Sequence, residues 1–147
     1  MEKVSVKKLE KDAILPSYGS EYAAGADLYA LPSLGTVSFL PGETKLIRTG
    51  LSMSIPEGYG GFIYARSGIA TKRGLAPSNK VGVVDSDYRG EVMVALHNHS
   101  KEVQTIDAGE RIAQMVIAPF LKVDFEESDS LDETERGRGG FGSTGRK

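Results

Sequence analysis

Two carboxylates close a strongly apolar run at Val81-Gly82-Val83-Val84-Asp85-Ser86-Asp87-Tyr88-Arg89-Gly90. On an extended backbone residues 85 and 87 share one face, and Tyr88 turns to the other. A carboxylate at a strand end can orient a water for attack or hold Mg2+ through waters. The same residues suit a β-turn leading into Gly90, and spacing alone leaves both readings open. A further acid, Asp27, lies among small residues in Ala23-Ala24-Gly25-Ala26-Asp27-Leu28-Tyr29-Ala30. On its own that pattern reads as a capping or turn aspartate in a tight interface.

The cations sit elsewhere. Arg66 precedes Ser67-Gly68-Ile69-Ala70-Thr71-Lys72-Arg73-Gly74, the one stretch with helical punctuation. Ser67 is the expected N-cap, Lys72 and Arg73 suit the C-terminal end, and Gly74 suits the position just beyond it. First-turn N–H groups beside Arg66 would suit an anion, and a capped surface turn is the plainer alternative. Gly109-Glu110-Arg111-Ile112-Ala113-Gln114-Met115 is a glycine turn entering a strand. There Arg111 reads as a salt-bridge partner, and Gln114, set in an apolar run, needs a polar partner if buried. His97 and His99 flank Asn98 and share a strand face. With no third ligand near them, cross-strand contacts are expected rather than a metal site.

Residues 126–147 differ in composition. Six acids, Glu126, Glu127, Asp129, Asp132, Glu133 and Glu135, precede Arg136-Gly137-Arg138-Gly139-Gly140-Phe141-Gly142-Ser143-Thr144-Gly145. Leu131 and Phe141 are the only large apolar side chains there, too few to offset the entropy of ordering, so mobility in the free protein is expected. Glycines let backbone wrap closely round a ligand, arginines offer forks to phosphate, and an aromatic face can stack on a base. A nucleotide-clamping lid, an RNA-contacting tail and a solvated tail all fit these residues. A P-loop does not, because Gly145 is followed by Arg146-Lys147 where that motif needs Gly-Lys-Ser/Thr.

The elements that must hold these groups are short and extended. Residues 51–55 alternate apolar and polar, as do Val37/Phe39 and Val92/Val94/Leu96, while 62–64, 81–84 and 112–117 are denser apolar runs. Pro and Gly punctuate them at short intervals, which predicts an all-β sandwich, barrel or jelly roll. The 147 residues predict one domain on a scale of roughly 100–200 residues each. With 18 Lys+Arg against 20 Asp+Glu no global field grips nucleic acid or an anionic membrane, so any bound anion must be held by local groups. The absence of cysteine removes disulfides, thiolate zinc sites and Cys nucleophiles. No apolar run is long enough to span a bilayer, and the first twelve residues lack a signal peptide's apolar stretch. An intracellular soluble protein, in cytoplasm, nucleus or both, is therefore expected.

Five islands in order resemble the homotrimeric dUTP pyrophosphatases, or dUTPases, of eukaryotic type. They are Ala24-Gly25-Ala26-Asp27-Leu28-Tyr29, Ala65-Arg66-Ser67-Gly68, the segment from Gly82 to Gly90, the segment from Gly109 to Met115, and the Gly-rich arm from Arg136 to Gly145. The resemblance covers nearly the whole chain. It departs at Ala65, where the family commonly has proline, and at Arg138, an extra cation at a variable position.

The resemblance implies a distorted jelly-roll β-barrel with one short helix. A core of 1–125 would carry a flexible Gly-rich arm, 126–147, that closes over a neighbouring subunit's active site. The implied reaction is Mg2+-assisted hydrolysis of dUTP to dUMP and pyrophosphate in a homotrimer with shared sites, limiting uracil in DNA and supplying dUMP for dTMP synthesis. Asp85 would activate the water attacking the α-phosphorus. Tyr88 would pack on the deoxyribose, and a β-hairpin from Asn79 through Gly82, Val83 and Val84 would read uracil with its backbone. Arg66, Ser67, Gly68 and Gln114 would hold phosphates, and Asp27 would reach the metal through water. Arg136 would clamp phosphate while Phe141 stacks on uracil, with Gly142, Ser143 and Thr144 completing the lid. A related dCTP deaminase would instead release ammonia from dCTP. A jelly-roll binding protein with an RNA-contacting tail would show salt-sensitive RNA binding and no turnover. Membrane association and stable nucleic-acid binding are not expected.

Overall fold

The structure, a computed structural model, describes residues 3–145. Its strands are β1 (Ser5–Lys8), β2 (Ser17–Tyr18), β3 (Ala26–Tyr29), β4 (Val37–Phe39), β5 (Thr44–Ser54), β6 (Tyr59–Tyr64), β7 (Leu75–Pro77), β8 (Gly82–Val84), β9 (Glu91–Asn98), β10 (Gln104–Ile106) and β11 (Arg111–Pro119). One helix, α1 (Ser67–Arg73), and a 3-10 turn at Pro32–Leu34 interrupt them. Every pairing is antiparallel. A four-stranded sheet runs β1-β5-β9-β7, a five-stranded sheet runs β2-β3-β11-β6-β8, and β10 pairs β4 as a ribbon. The fold is the all-β jelly roll that the resemblance implied, with its one short helix.

The core lies where the apolar faces of these sheets meet. Leu51, Val92, Val94 and Leu96 come from the first sheet, Leu28, Ile63, Ile112, Ala113 and Met115 from the second, and Phe39 and Ile106 from the ribbon. Strand β9 shows the period of two plainly, burying Val92, Val94, Leu96 and Asn98 on one face. Asn98 is a polar side chain on that apolar face. It is fully buried and fully engaged: Nδ2 donates to the carbonyls of Phe39 and Glu102, and Oδ1 accepts from the amide and hydroxyl of Ser100. The alternation read at 51–55 does not leave an exposed face, since Ser54 is half-buried and Ser52 buried. Ser52 is buried there with its hydroxyl donating to the Arg89 carbonyl at 2.6 Å.

Two local expectations change. The N-cap of α1 is Arg66, with extended φ/ψ of −91°/130° and no capping side chain, and Ser67 is already the first helical residue. The Arg66 carbonyl accepts the first helical bond, from the Ala70 amide. Gly74 does end the helix in the left-handed conformation at φ 67°. A Cβ there would also lie 3.0 Å from the Ser100 amide nitrogen, so conformation and space both select glycine. Secondly, β7 and β8 do not pair with each other as a hairpin. Leu75–Pro77 joins β9 in one sheet and Gly82–Val84 joins β6 in the other, so residues 78–81 form a tight turn between sheets. Lys80 sits in that turn at φ 66°.

Beyond Pro119 the described chain contains no strand or helix, and residues 126–138 are exposed throughout. Residues 1, 2, 146 and 147, which belong to the expected core and arm, lie outside the described residues. Among the described residues no helix is long and apolar enough to cross a membrane.

Candidate active site

The turn between the sheets shapes a cavity of about 240 Å3. Asn79, Gly82, Val83, Val84, Asp85 and Tyr88 line it together, with Ile63, Pro77 and Met93 among its walls. Gly82 is held close to β6: a Cβ there would come within 3.2 Å of Ile63 Cβ and 3.3 Å of Asn79 Nδ2. Six of the residues expected to act on the nucleotide therefore meet on one chain.

Asp85 follows β8 directly, is exposed, and begins a turn in which the Tyr88 amide donates to its carbonyl at 3.2 Å. The turn reading of this segment is thus correct for the backbone, and the extended placement of 85 and 87 on one face is not. The two readings are compatible in function, because the turn delivers the Asp85 side chain to the cavity rim. Among the described residues no hydrogen bond or ion pair occupies its carboxylate. Tyr88 donates its hydroxyl to the Glu91 carbonyl at 2.8 Å. Its ring covers Gly90 so closely that a Cβ there would lie 2.6 Å from Tyr88 Cζ.

A second cavity, about 210 Å3, is lined by Gly25, Asp27, Arg66, Ser67, Arg111 and Gln114 among others. Asp27, on β3 and nearly buried, accepts Arg66 Nε at 2.6 Å on Oδ1 and Arg111 Nη1 at 3.3 Å on Oδ2. It is a two-arginine anchor rather than a cap, and Arg111 is the salt-bridge partner its context suggested. Gln114 has the partner it required, donating from Nε2 to the Ala65 carbonyl at 2.8 Å. That bond draws β11 against the residue before Arg66. Gly25 is excluded from any larger side chain, since a Cβ would lie 3.2 Å from Gln114 Cβ and 2.5 Å from its Oε1. Gly68 opens onto free space.

Arm residues Arg136, Phe141, Gly142, Ser143 and Thr144 line neither cavity. Phe141 is fully exposed, and Arg136 Nε donates locally to the Gly139 carbonyl at 2.8 Å. Nor does any residue line both cavities. The expected site residues thus fall into three separate groups on a single chain.

His97 and His99 stack with ring centroids 6.4 Å apart, and His97 Nδ1 lies 2.8 Å from Thr44 Oγ1, its cross-strand neighbour. Among the described residues no cluster of three or more His, Asp or Glu could hold a metal directly.

Sequence reasoning missed the support beneath Tyr88. The Glu91 carboxylate accepts Arg48 Nε on both oxygens, at 3.1 and 3.0 Å, and the Gly50 amide at 2.8 Å. Arg48 Nη2 also reaches Glu10 at 3.1 Å. The Glu91 and Glu10 hydrogen bonds raise the Arg48 guanidinium above its ordinary pKa, Glu91 contributing most. A break in register between Arg48 and Leu51, with Gly50 at φ 71°, makes this contact possible, and no local sequence pattern marks it.

Comparison with known proteins converges on one family. A family model described as dUTPase matches residues 11–145. A deoxyuridine 5'-triphosphate nucleotidohydrolase of Nautilia profundicola is 49% identical over 98% of this chain and 99% of its own. Its counterpart in Hydrogenobaculum sp. is 48% identical over 99% of each. Both sources are bacterial, so the narrower eukaryotic-type expectation draws nothing from them. Among solved structures, a dUTPase of Staphylococcus bacteriophage 80alpha with dUPNHPP superposes with a TM-score of 0.87, at 30% identity and 99% coverage of each chain. The dUTPase of phage phi11 of S. aureus has a TM-score of 0.80 at 24% identity, covers 90% of this chain and all of its own, and speaks for the fold alone.

Proposed function

This chain belongs to the dUTPase family, and from that membership we infer how its residues divide the work of hydrolysing dUTP to dUMP and pyrophosphate. The enzyme is a dUTP diphosphatase. Relatives named deoxyuridine 5'-triphosphate nucleotidohydrolase support this reading over a dCTP deaminase or an RNA-binding jelly roll.

Asp85 is the general base. It takes a proton from the water whose oxygen bonds to the α-phosphorus, while the bond from that phosphorus to the bridging oxygen breaks and pyrophosphate leaves. The observation that carries this role is its seat: an unengaged carboxylate at the rim of the cavity that Asn79, Gly82, Val83, Val84 and Tyr88 form. Uracil fits there against the backbone of the turn and β8, whose fixed donors and acceptors separate its edge from that of cytosine. A tight wall excludes the methyl of thymine, and Tyr88 faces the deoxyribose.

The triphosphate carries about four negative charges and needs cations concentrated at one point despite an acidic chain. Arg66, Ser67, Gly68 and Gln114 supply one phosphate-binding group and Arg136 another. Mg2+, which keeps several of its waters, would be held through water by Asp27 beside the phosphate-binding residues. Each Asp27 oxygen accepts one guanidinium and keeps a lone pair for such a water. When bound, the ion neutralises charge on the triphosphate.

The separation of these groups on one chain supports a homotrimer in which each site draws on several subunits. Leu121, Val123 and Phe125 leave the end of β11 with 86%, 50% and 96% of their surface exposed. A groove of about 330 Å3 on the same chain is lined by Val4, Val6, Leu15, Met53, Met115 and Ile117. Apolar surface of this kind on both a strap and a groove suits association between copies. Residues 126–145 then act as an arm that closes over a neighbour's site, bringing Phe141 to stack on uracil and Gly142, Ser143 and Thr144 to complete the lid.

The test is pyrophosphate release from dUTP, with dTTP, dCTP and UTP in parallel and Mg2+ present, for the wild type and Asp85→Asn. Selective dUTP turnover with a loss on the order of a thousandfold in the variant supports the assignment. A variant within tenfold of wild type removes Asp85 as the base.

A further inference from the structure

We propose that Glu91 is a positioning residue for Tyr88, and that the ion pair between Glu91 and Arg48 sets how strongly the enzyme rejects ribonucleotides. The proposal rests on the reading that Tyr88 faces the sugar.

A tyrosine that excludes a 2'-hydroxyl must be a wall that does not retreat. Displacement by about 1 Å is enough to admit an extra oxygen or to spoil alignment. Tyr88 lies on a surface turn, with 41% of its surface exposed, so stiffness must come from specific restraints. Two are visible. The ring rests on Gly90, where even a methyl group would collide with it, and the hydroxyl donates to the Glu91 carbonyl at 2.8 Å.

That carbonyl can restrain the ring only if residue 91 is itself fixed. Glu91 opens β9 in register with Ser52, just past the register break in β5, and its carboxylate reaches back to close the break. It takes both contacts from Arg48 Nε and a third from the Gly50 amide. Arg48 is tied in turn to Glu10, and the Leu9 amide donates to the Gly50 carbonyl at 2.7 Å. On the other side of Gly90, the Ser52 hydroxyl holds the Arg89 carbonyl at 2.6 Å. Both neighbours of Gly90 are thus fastened to β5, which serves as the platform under Tyr88. An ion pair with a purely structural role would lower stability and slow all substrates alike. A positioning role changes the ratio between two substrates that differ only at the 2' carbon.

The experiment compares kcat/KM for dUTP and UTP in the full-length enzyme. The variants are Glu91→Gln, Arg48→Met and Arg48→Lys, with Tyr88→Ala as reference and thermal melting alongside. Expected is a fall of about tenfold in the dUTP/UTP ratio for Glu91→Gln and Arg48→Met, mainly through faster UTP turnover, with partial recovery in Arg48→Lys. If Tyr88→Ala lowers the ratio and the Glu91 and Arg48 variants leave it unchanged, the proposal is overturned while the sugar-facing role of Tyr88 stands. If Tyr88→Ala itself leaves the ratio unchanged, both fall. Arg48→Met covers the case in which Glu91→Gln fails to fold.

Discussion

Arg66 donates from Nε to Asp27 across 2.6 Å, joining two residues 39 positions apart at the mouth of the second cavity. The contact gives Asp27 a task in the unliganded chain: it aims the guanidinium expected to meet phosphate, with Arg111 sharing the load from the strand beside it. Asp27→Asn removes the charge and frees Arg66 to rotate. Expected is a rise in KM for dUTP and a fall in kcat/KM of about ten- to a hundredfold, read from steady-state pyrophosphate release. Unchanged kinetics would show that Arg66 is aimed by something else.

Removal of residues 126–147 tests the arm. Its hydrogen bonds, among the described residues, join only near neighbours such as Arg136 to Gly139 and Gly140 to Ser143. The truncated chain should keep the melting temperature of the parent and lose turnover by about a hundredfold or more, since a lid contributes to the reaction and not to the core. Phe141→Ala should reproduce part of that loss. A truncated enzyme with full activity would leave the arm without a catalytic part.

Association between copies has its own test. Replacing Leu121 and Phe125 together by Asp places charge on two of the well-exposed apolar side chains beyond β11. Sedimentation velocity should show a trimer for the parent and smaller species for the variant, with activity falling in step. A parent that sediments as a monomer contradicts the shared-site reading outright.

Asn98 offers a measure of the fold alone. Asn98→Ala strips two donations and two acceptances from a fully buried position, the donation to the Phe39 carbonyl among them. Expected is a loss of about 2–4 kcal/mol in urea unfolding, with kcat for surviving native enzyme little changed. A loss well below 1 kcal/mol would mean that water replaces the amide.

These residues also show where the sequence is legible. The period of two at Val92, Val94 and Leu96 marks β9, and the glycine after Lys72-Arg73 marks the end of α1. Such signals are local: one face of one strand, or one residue past one helix. The five islands give the candidate site residues in chain order, and Asp85 and Tyr88 line one cavity. What the chain order does not carry is pairing across distance. The bond from Arg66 to Asp27 and the clamp of Arg48 on Glu91 depend on register between strands far apart in sequence. The turn of residues 78–81 likewise resembles a hairpin locally, because both flanking segments are short and extended. That its flanks join different sheets is decided by β9 and β6, each elsewhere in the chain.

That division between sheets has a consequence for fidelity. Pro77 belongs to one sheet and Val84 to the other, so the gap that the proposed uracil site offers would be a calliper whose jaws are set by the thickness of the hydrophobic layer between them. Ile63, Val92 and Val94 border the cavity and also belong to the core. A methylene gained or lost at any of them would open or close the jaws. Discrimination between uracil and thymine, a difference of one methyl group, would then be inherited from the packing of the protein interior.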